Sequence, residues 1–449
     1  MSASEATRVF LLISRLAVNG RARKSRVVLR SEKGWRLRCL TLYDTAHVYP
    51  SQGFYAFALR KIPCARARPP ARSAAVRTPI VIILVLCAAI TAASAEWNIT
   101  LHDGRRYVQI EDVTTFYKLN PPQIEGNTFT LTGQGRTIRG SAGGREVLIN
   151  NVKYVLCFDM VTKGGKFLIS AMDVTKIIEP VMRPGKIKDA TAVRTVILDA
   201  GHGGHDSGAK GPLGSEKDAA LDVVLHAKKL LEESGYNVRL TRMTDVFIPL
   251  ENRPAMANKY PNAIFVSVHL NKSNVGGASG IETYALAPRG VPSMDEEHLS
   301  YSDYKAYPGH LRDSENTALA TAMHSSLLRH LRLYDRGIKR ARFLVIRDIV
   351  IPGVLLEGGF MNHPFDSRQI AGAAYRDAFA RAILEGVNRY RSAVAGQMQY
   401  FKPSAVIAAT DPTTAPPIKK ETPPPAPVGS KTDIGQSVNQ AASALSTPP

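Results

Sequence analysis

The sequence predicts an α/β protein: a catalytic domain with a mixed, mostly parallel sheet flanked by helices, preceded by a small β-rich domain. Three observations carry that prediction. Between residues 194 and 391, apolar strand-like runs (Thr195-Val196-Ile197-Leu198, Ala263 to Val268, Gly353 to Leu356) alternate with helical patterns, as expected of a sheet with helices packed on it. From 96 to 182 the runs are short and alternating, such as Tyr107-Val108-Gln109-Ile110 and Thr128-Phe129-Thr130-Leu131, and Gly and Asn separate them, which is the pattern of a small β-rich unit. At 449 residues the chain also exceeds one ordinary domain.

Residues 1–78 hold sixteen Lys and Arg against three Asp and Glu, so this basic extension carries +13 of the net +20. The excess is local and gives no reason to expect nucleic-acid binding by the rest. Residues 79–95, PIVIILVLCAAITAASA, follow the basic Arg72 and Arg77 and combine an apolar run from Ile80 to Ile90 with the small-residue site Ala93-Ser94-Ala95. Those are the three parts of a secretory signal peptide. The run is well short of the roughly 20 residues a membrane span needs. No permanent span is therefore expected after cleavage, a retained anchor being the alternative. A signal peptide belongs near a start, so translation is expected to begin nearer Arg77, with the extension absent from the mature protein. Beyond Ala95 the only cysteine is Cys157, which excludes an internal disulfide or a CxxC pair there and is read as a core residue.

The β-rich accessory domain is placed at 96–182, a linker at 183–193 and the catalytic domain at 194–391. Within the last, Asp218 to Ser234 sets Leu221, Val224, Leu225, Leu230 and Leu231 near one helical face and stops at Gly235. The tail, 398–449, is rich in Pro and Ala, with Pro423-Pro424-Pro425, and is expected to be disordered.

Three metal-ligand residue types fall where predicted strands hand over to loops. His202 follows VILDA inside DAGHGG, His269 closes AIFVSV, and Glu216 precedes the helix beginning near Asp218. The C-terminal edge of such a sheet is where α/β proteins build sites. Two imidazoles and a carboxylate are a recurrent catalytic zinc set that leaves a fourth position for water. The spacing is no compact signature, and taken singly each His reads more readily as a hydrogen-bonded structural residue. Glu357 ends the apolar run VLL directly before Gly358-Gly359, so its carboxylate is expected in the same cleft, where it can move protons.

The ordered segments VILDAGHGGHDSGAKGPLGSEKD, LTRMTDVFIPLENRPAMAN, AIFVSVHLN, GIETYAL and RGIKRARFLVIRDIVIPGVLLEGGFMNHP cover nearly all of 194–391. As a set they resemble the zinc-dependent N-acetylmuramoyl-L-alanine amidases of the Amidase_3 family. The resemblance implies one Zn(2+) per catalytic domain, held by His202, Glu216 and His269, with Glu357 as catalytic acid/base. It implies hydrolysis of the amide between N-acetylmuramic acid and L-alanine in peptidoglycan, with release of stem peptides, in wall remodelling or daughter cell separation. Peptidoglycan is then the partner, an activator protein is a further one that the family allows, and the place of action is the periplasm or cell envelope. HDGRRYVQIEDV and KFLISAMDVTKIIEPVMRP in the accessory domain loosely resemble the N-terminal domain of copper amine oxidases and suggest a spacer or wall-binding module.

Other residues carry weaker expectations. Asp199 is expected to orient His202 as an outer partner. Arg253 matches a family-typical arginine with structural hydrogen bonds or a substrate contact. His205 is read as an exposed turn residue, with spare ligand or substrate contact as the alternative. The polar, Tyr-rich insertion 287–314 stands where some family members carry a segment that blocks the zinc. Lacking apolar periodicity, it is expected to be a substrate-contacting loop. The rival functions are another zinc amide hydrolase of the wall, such as a carboxypeptidase or endopeptidase, and a wall-binding protein on an inactive amidase scaffold.

Overall fold

The computed structural model describes residues 97–398, apart from 275–276 and 295–297, together with short strands between residues 12 and 35. The chain divides into two compact units, 1–90 and 91–449. In the first, Leu12–Ser14 pairs with Arg26–Val28 and Arg30–Ser31 with Gly34–Trp35. The signal segment 79–95 and the tail beyond Met398 lie outside the described residues. Among the described residues no helix is long and apolar enough to cross a membrane. The second unit contains the eleven-stranded sheet and the helices packed on it.

Its N-terminal part begins with β1 (Ile99–His102), β2 (Arg105–Gln109) and α1 (Ile110–Tyr117), then the meander β3 (Gln123–Glu125), β4 (Thr128–Gly133), β5 (Arg136–Ser141), β6 (Glu146–Ile149) and β7 (Val152–Val155), then β8 (Val161–Lys163) and β9 (Lys166–Ser170). The catalytic part contributes β10 (Thr195–Ala200), α2 (Glu216–Glu233), β11 (Asn237–Leu240), α3 (Asn252–Ala257), β12 (Ala263–Asn271), β13 (Ile281–Leu286), α4 (Asp313–Leu331), β14 (Asp335–Ala341), β15 (Gly353–Phe360) and α5 (Ala373–Val394). The expected helix 218–234 is α2, which begins two residues earlier and ends before Gly235, held at φ +85°, a conformation glycine takes without strain.

One eleven-stranded sheet runs in the order β11-β10-β12-β15-β13-β14-β7-β6-β5-β4-β3. Strands β11, β10, β12 and β15 are parallel, β13 is antiparallel to β15, and β14 and β7 continue parallel to β13 and β14 in turn. The central strands are apolar on both faces because both are covered. Helices α2, α4 and α5 press on one face through Val224, Leu319, Phe379 and Ile383, while a smaller cluster of Phe265, Tyr284, Ile346 and Leu355 covers part of the other.

The N-terminal meander continues the catalytic sheet edge to edge. Tyr154 pairs with Ile338, the Lys153 amide donates to Asp335 at 3.0 Å, and the Tyr154 hydroxyl donates to Thr321 on α4 at 3.0 Å. The connecting stretch 183–193 is tied at both ends, by Arg183 on Glu179 and by the Thr191 amide donating to the buried Glu315 carboxylate at 2.6 Å. Cys157 is a buried core residue, its amide donating to Asp173 at 2.7 Å.

The insertion 287–314 corrects an expectation. Since β13 runs antiparallel to β15, with Glu282 opposite Glu357 and Tyr284 opposite Leu355, its C-terminal end at Leu286 leads away from Glu357. The insertion is anchored at that opposite edge of the sheet. Arg342 donates to the carbonyls of Pro288 and Val291 and ion-pairs with Asp303 at 2.5 Å, and the Met294 amide donates to the Arg340 carbonyl. Its anchored residues therefore lie at the sheet edge opposite the one that carries Glu357.

Candidate metal centre

The turn after β10 is built around a close approach of side chains. His202 itself takes a left-handed backbone conformation, φ 59°, which is uncommon for a residue with a Cβ and turns its ring back over the sheet edge. The His269 ring lies directly against Gly201, and Gly208 lies against both the Glu216 carboxylate and the His202 ring. A Cβ at either glycine would fill the space the ligands occupy.

Glu216 opens α2, is 4% exposed, and joins the two histidines. One carboxylate oxygen stands 3.1 Å from His202 Nε2 and 2.9 Å from His269 Nδ1, and also accepts the Leu270 amide at 3.1 Å; the other accepts the Ala209 amide at 2.7 Å. One donor atom from each of His202, Glu216 and His269 lies within 4.8 Å of the others. This nitrogen and oxygen donor set, three protein ligands from three separate elements, fits zinc with one position left over.

Electrostatics supports the same reading. Burial lowers the His202 pKa, but Glu216 and Asp206 outweigh it and push the imidazole up to about 10. Burial raises Glu216, yet the two histidines hold it well below the usual carboxylate range. Without a cation, a proton on the His202 imidazole balances the buried carboxylate, and a metal must displace it to enter.

The outer partners were only partly foreseen. Asp199 was expected to orient His202, but it makes no hydrogen bond to that ring. It is fully buried between Arg253 Nη1 (2.8 Å), Thr241 Oγ1 (2.6 Å) and Ser267 Oγ (2.7 Å). Arg253 in turn donates to the carbonyls of His202 and Ala200, both at 2.8 Å, so Asp199 acts on the turn through the backbone. The carboxylate on the His202 ring is Asp206, 2.8 Å from Nδ1, which leaves Nε2 facing the cluster. Arg242, also missed, gathers the carbonyls of Ala200, Gly201 and Lys217. The one signal for Asp206 was its place four residues after His202 inside GHGGHD. His205 is exposed, with its ring 4.3 Å from that of Phe247, outside the cluster.

Glu357 stands beside the ligands by register. On β15 it pairs with His269 of β12 on one side and with Glu282 of β13 on the other, which places the three side chains on one sheet face. Burial raises the Glu357 pKa well above the carboxylate range, reinforced by the negative Glu216 and Glu282. One of its oxygens is buried with no hydrogen-bond partner, an unmet demand that a substrate proton can satisfy. Glu282 is itself neutralised by Lys339 (2.6 Å) and Arg336 (2.7 Å).

Residues 196–389 match the Amidase_3 family model, described as N-acetylmuramoyl-L-alanine amidase. The chain is 32% identical over 229 residues to the N-acetylmuramoyl-L-alanine amidase AmiA of Escherichia coli K12, across 46% of this chain and 78% of that protein. It is 37% identical over 198 residues to the uncharacterized protein YqiI of Bacillus subtilis, across 44% and 84%. Among solved structures, the N-acetylmuramoyl-L-alanine amidase AmiC2 of Nostoc punctiforme shares 31% identity over 45% of this chain and 98% of its own, with a TM-score of 0.37.

Proposed function

The chain belongs to the Amidase_3 family of N-acetylmuramoyl-L-alanine amidases, and from that premise we infer a zinc-dependent enzyme in which His202, Glu216 and His269 hold the metal and Glu357 is the acid/base. It is a peptidoglycan amidase, which hydrolyses the amide between N-acetylmuramic acid and L-alanine. The observation that carries the residue assignment is the convergence of three ligand-type side chains next to a buried carboxylate with an unpartnered oxygen.

Zinc in this set would supply Lewis-acid polarisation of the amide carbonyl, an acidified water, and positive charge that offsets the repulsion between Glu357 and Glu216. The chain's own residues do the rest. Asp206 fixes the His202 tautomer, and Arg253 with Arg242 fixes the turn that carries it. Glu357 as carboxylate accepts a proton from the attacking water. As acid it returns that proton to the L-alanine nitrogen when the C–N bond breaks, so lactyl carboxylate and amine leave together. Export is inferred from segment 79–95, with action in the periplasm or cell envelope, and 96–182 is proposed to be the accessory module.

The test is metal removal and return. Chelated enzyme should lose hydrolysis of purified peptidoglycan and regain it with stoichiometric zinc, whereas Glu357→Ala should bind zinc and stay inactive. Full activity of the chelated enzyme would refute the metal assignment.

A further inference from the structure

Resting on the amidase reading, we propose that the open face of the N-terminal meander is a glycan-binding track continuous with the catalytic cleft, which holds the substrate's glycan strand while Glu357 acts on it. Register defines the track. Glu357 pairs with Glu282, Tyr284 of the same strand pairs with Lys339, and Lys339 donates to Glu282, so these side chains share one face, on which Glu282 and Tyr284 are buried and the half-buried Lys339 is the surface residue. Ile338 and Tyr154 pair on the opposite face, where Tyr154 reaches α4. Lys153 is therefore on the Lys339 face, its stem against Gly337. From Lys153 the row passes through Leu148, Arg139 and Thr130 by direct cross-strand pairing.

From β15 to β4 the row crosses six strand steps, roughly 29 Å at about 4.8 Å per strand. Sheet twist turns it by about 20° at each step. A linear, flexible polymer can follow such a ribbon; a compact ligand cannot.

The chemistry of the face suits sugars. The outward positions of β4 and β5 are Thr128, Thr130, Thr132, Thr137, Arg139 and Ser141, all half-buried, while Phe129, Leu131 and Ile138 face the core. Five hydroxyls that both donate and accept match the hydroxyls and amides of a glycan. No large apolar side chain stands among those outward positions, as the buried core of a protein interface would want. At the junction with the catalytic strands, Tyr334 is 62% exposed, with the Lys153 ammonium 5.3 Å from its ring centroid; it offers a flat apolar surface to a sugar ring. Arg139 has no ion pair among the described residues. Lys153 is ion-paired with Glu146 at 3.1 Å; each cleavage frees one lactyl carboxylate, so the glycan becomes anionic as it is processed and complements Arg139.

The full chain carrying Arg139→Glu with Tyr334→Ala tests the track, with an unchanged thermal midpoint as the folding control. Two readouts are needed: binding to peptide-free glycan strands, which contain no scissile amide, and kinetics on intact sacculi against a soluble disaccharide-peptide too short to reach β5. Glycan binding should weaken about tenfold, and the sacculus concentration for half-maximal rate should rise comparably, with kcat and fragment kinetics unchanged. Unchanged glycan binding, or equal losses on both substrates, would overturn the track while leaving the amidase reading intact. Wild-type chain that binds glycan strongly but cuts neither substrate would support the binding face and overturn the amidase reading.

Discussion

His202 Nδ1 and the Asp206 carboxylate stand 2.8 Å apart, and the same Asp206 accepts the Gly208 amide at 3.1 Å through its other oxygen. One short loop thereby sets the tautomer of His202 and the path of the chain beneath the His202, Glu216 and His269 cluster. Asp206→Asn should lower zinc affinity about 10- to 100-fold, measured by competition with a chelator of known affinity. Unchanged affinity would mean the tautomer is set elsewhere.

The proposed mechanism gives Glu357 the proton transfer and leaves it outside the ligand set. Glu357→Gln should lower kcat on peptidoglycan by about 10²- to 10⁴-fold while zinc content stays at one per chain. Loss of zinc together with activity would instead make Glu357 a ligand.

Asp199 and Arg253 form a fully buried pair at 2.8 Å. Removing one partner strands the other, so Arg253→Ala should cost about 3–5 kcal/mol in urea unfolding. Burial alone would raise the Asp199 pKa, but Arg253, Thr241 and Ser267 bring it below the ordinary value. The stability it contributes is therefore present above the unfolded carboxylate value and lost as pH falls through the depressed folded value. Acid unfolding of the parent should show that loss, and Asp199→Asn should flatten it.

Because the insertion 287–314 is anchored at Arg342, away from Glu357, loosening it should not change the chemistry. Asp303→Asn should lower the thermal midpoint while the rate of wall hydrolysis stays within about twofold of the parent. A large gain in rate would show that this segment restrains the site after all.

The α/β sheet was legible because VILDA, AIFVSV and VLL are apolar on both faces, as covered strands must be. The convergence of His202, Glu216 and His269 was legible because each sits at a strand or helix terminus on the functional edge. The sense of β13 was not, since GIETYAL reads alike in either direction, and with it went the placement of 287–314. Nor could Asp199 be told from Asp206 as the partner of the His202 ring. That choice depends on the left-handed turn at His202, which residue type does not announce. Fusion of the meander to the catalytic sheet rests on Tyr154 beside Ile338, a pairing 184 residues apart that local patterning does not reveal.

The bond that the enzyme cuts is identified by mass analysis of the products formed from purified sacculi by the zinc-loaded chain. Muramoyl-alanine amide hydrolysis yields glycan strands with free lactyl carboxylates on N-acetylmuramic acid and intact stem peptides with a free L-alanine amine. Released D-alanine, or peptides cut within the stem while muramic acid stays substituted, would contradict it.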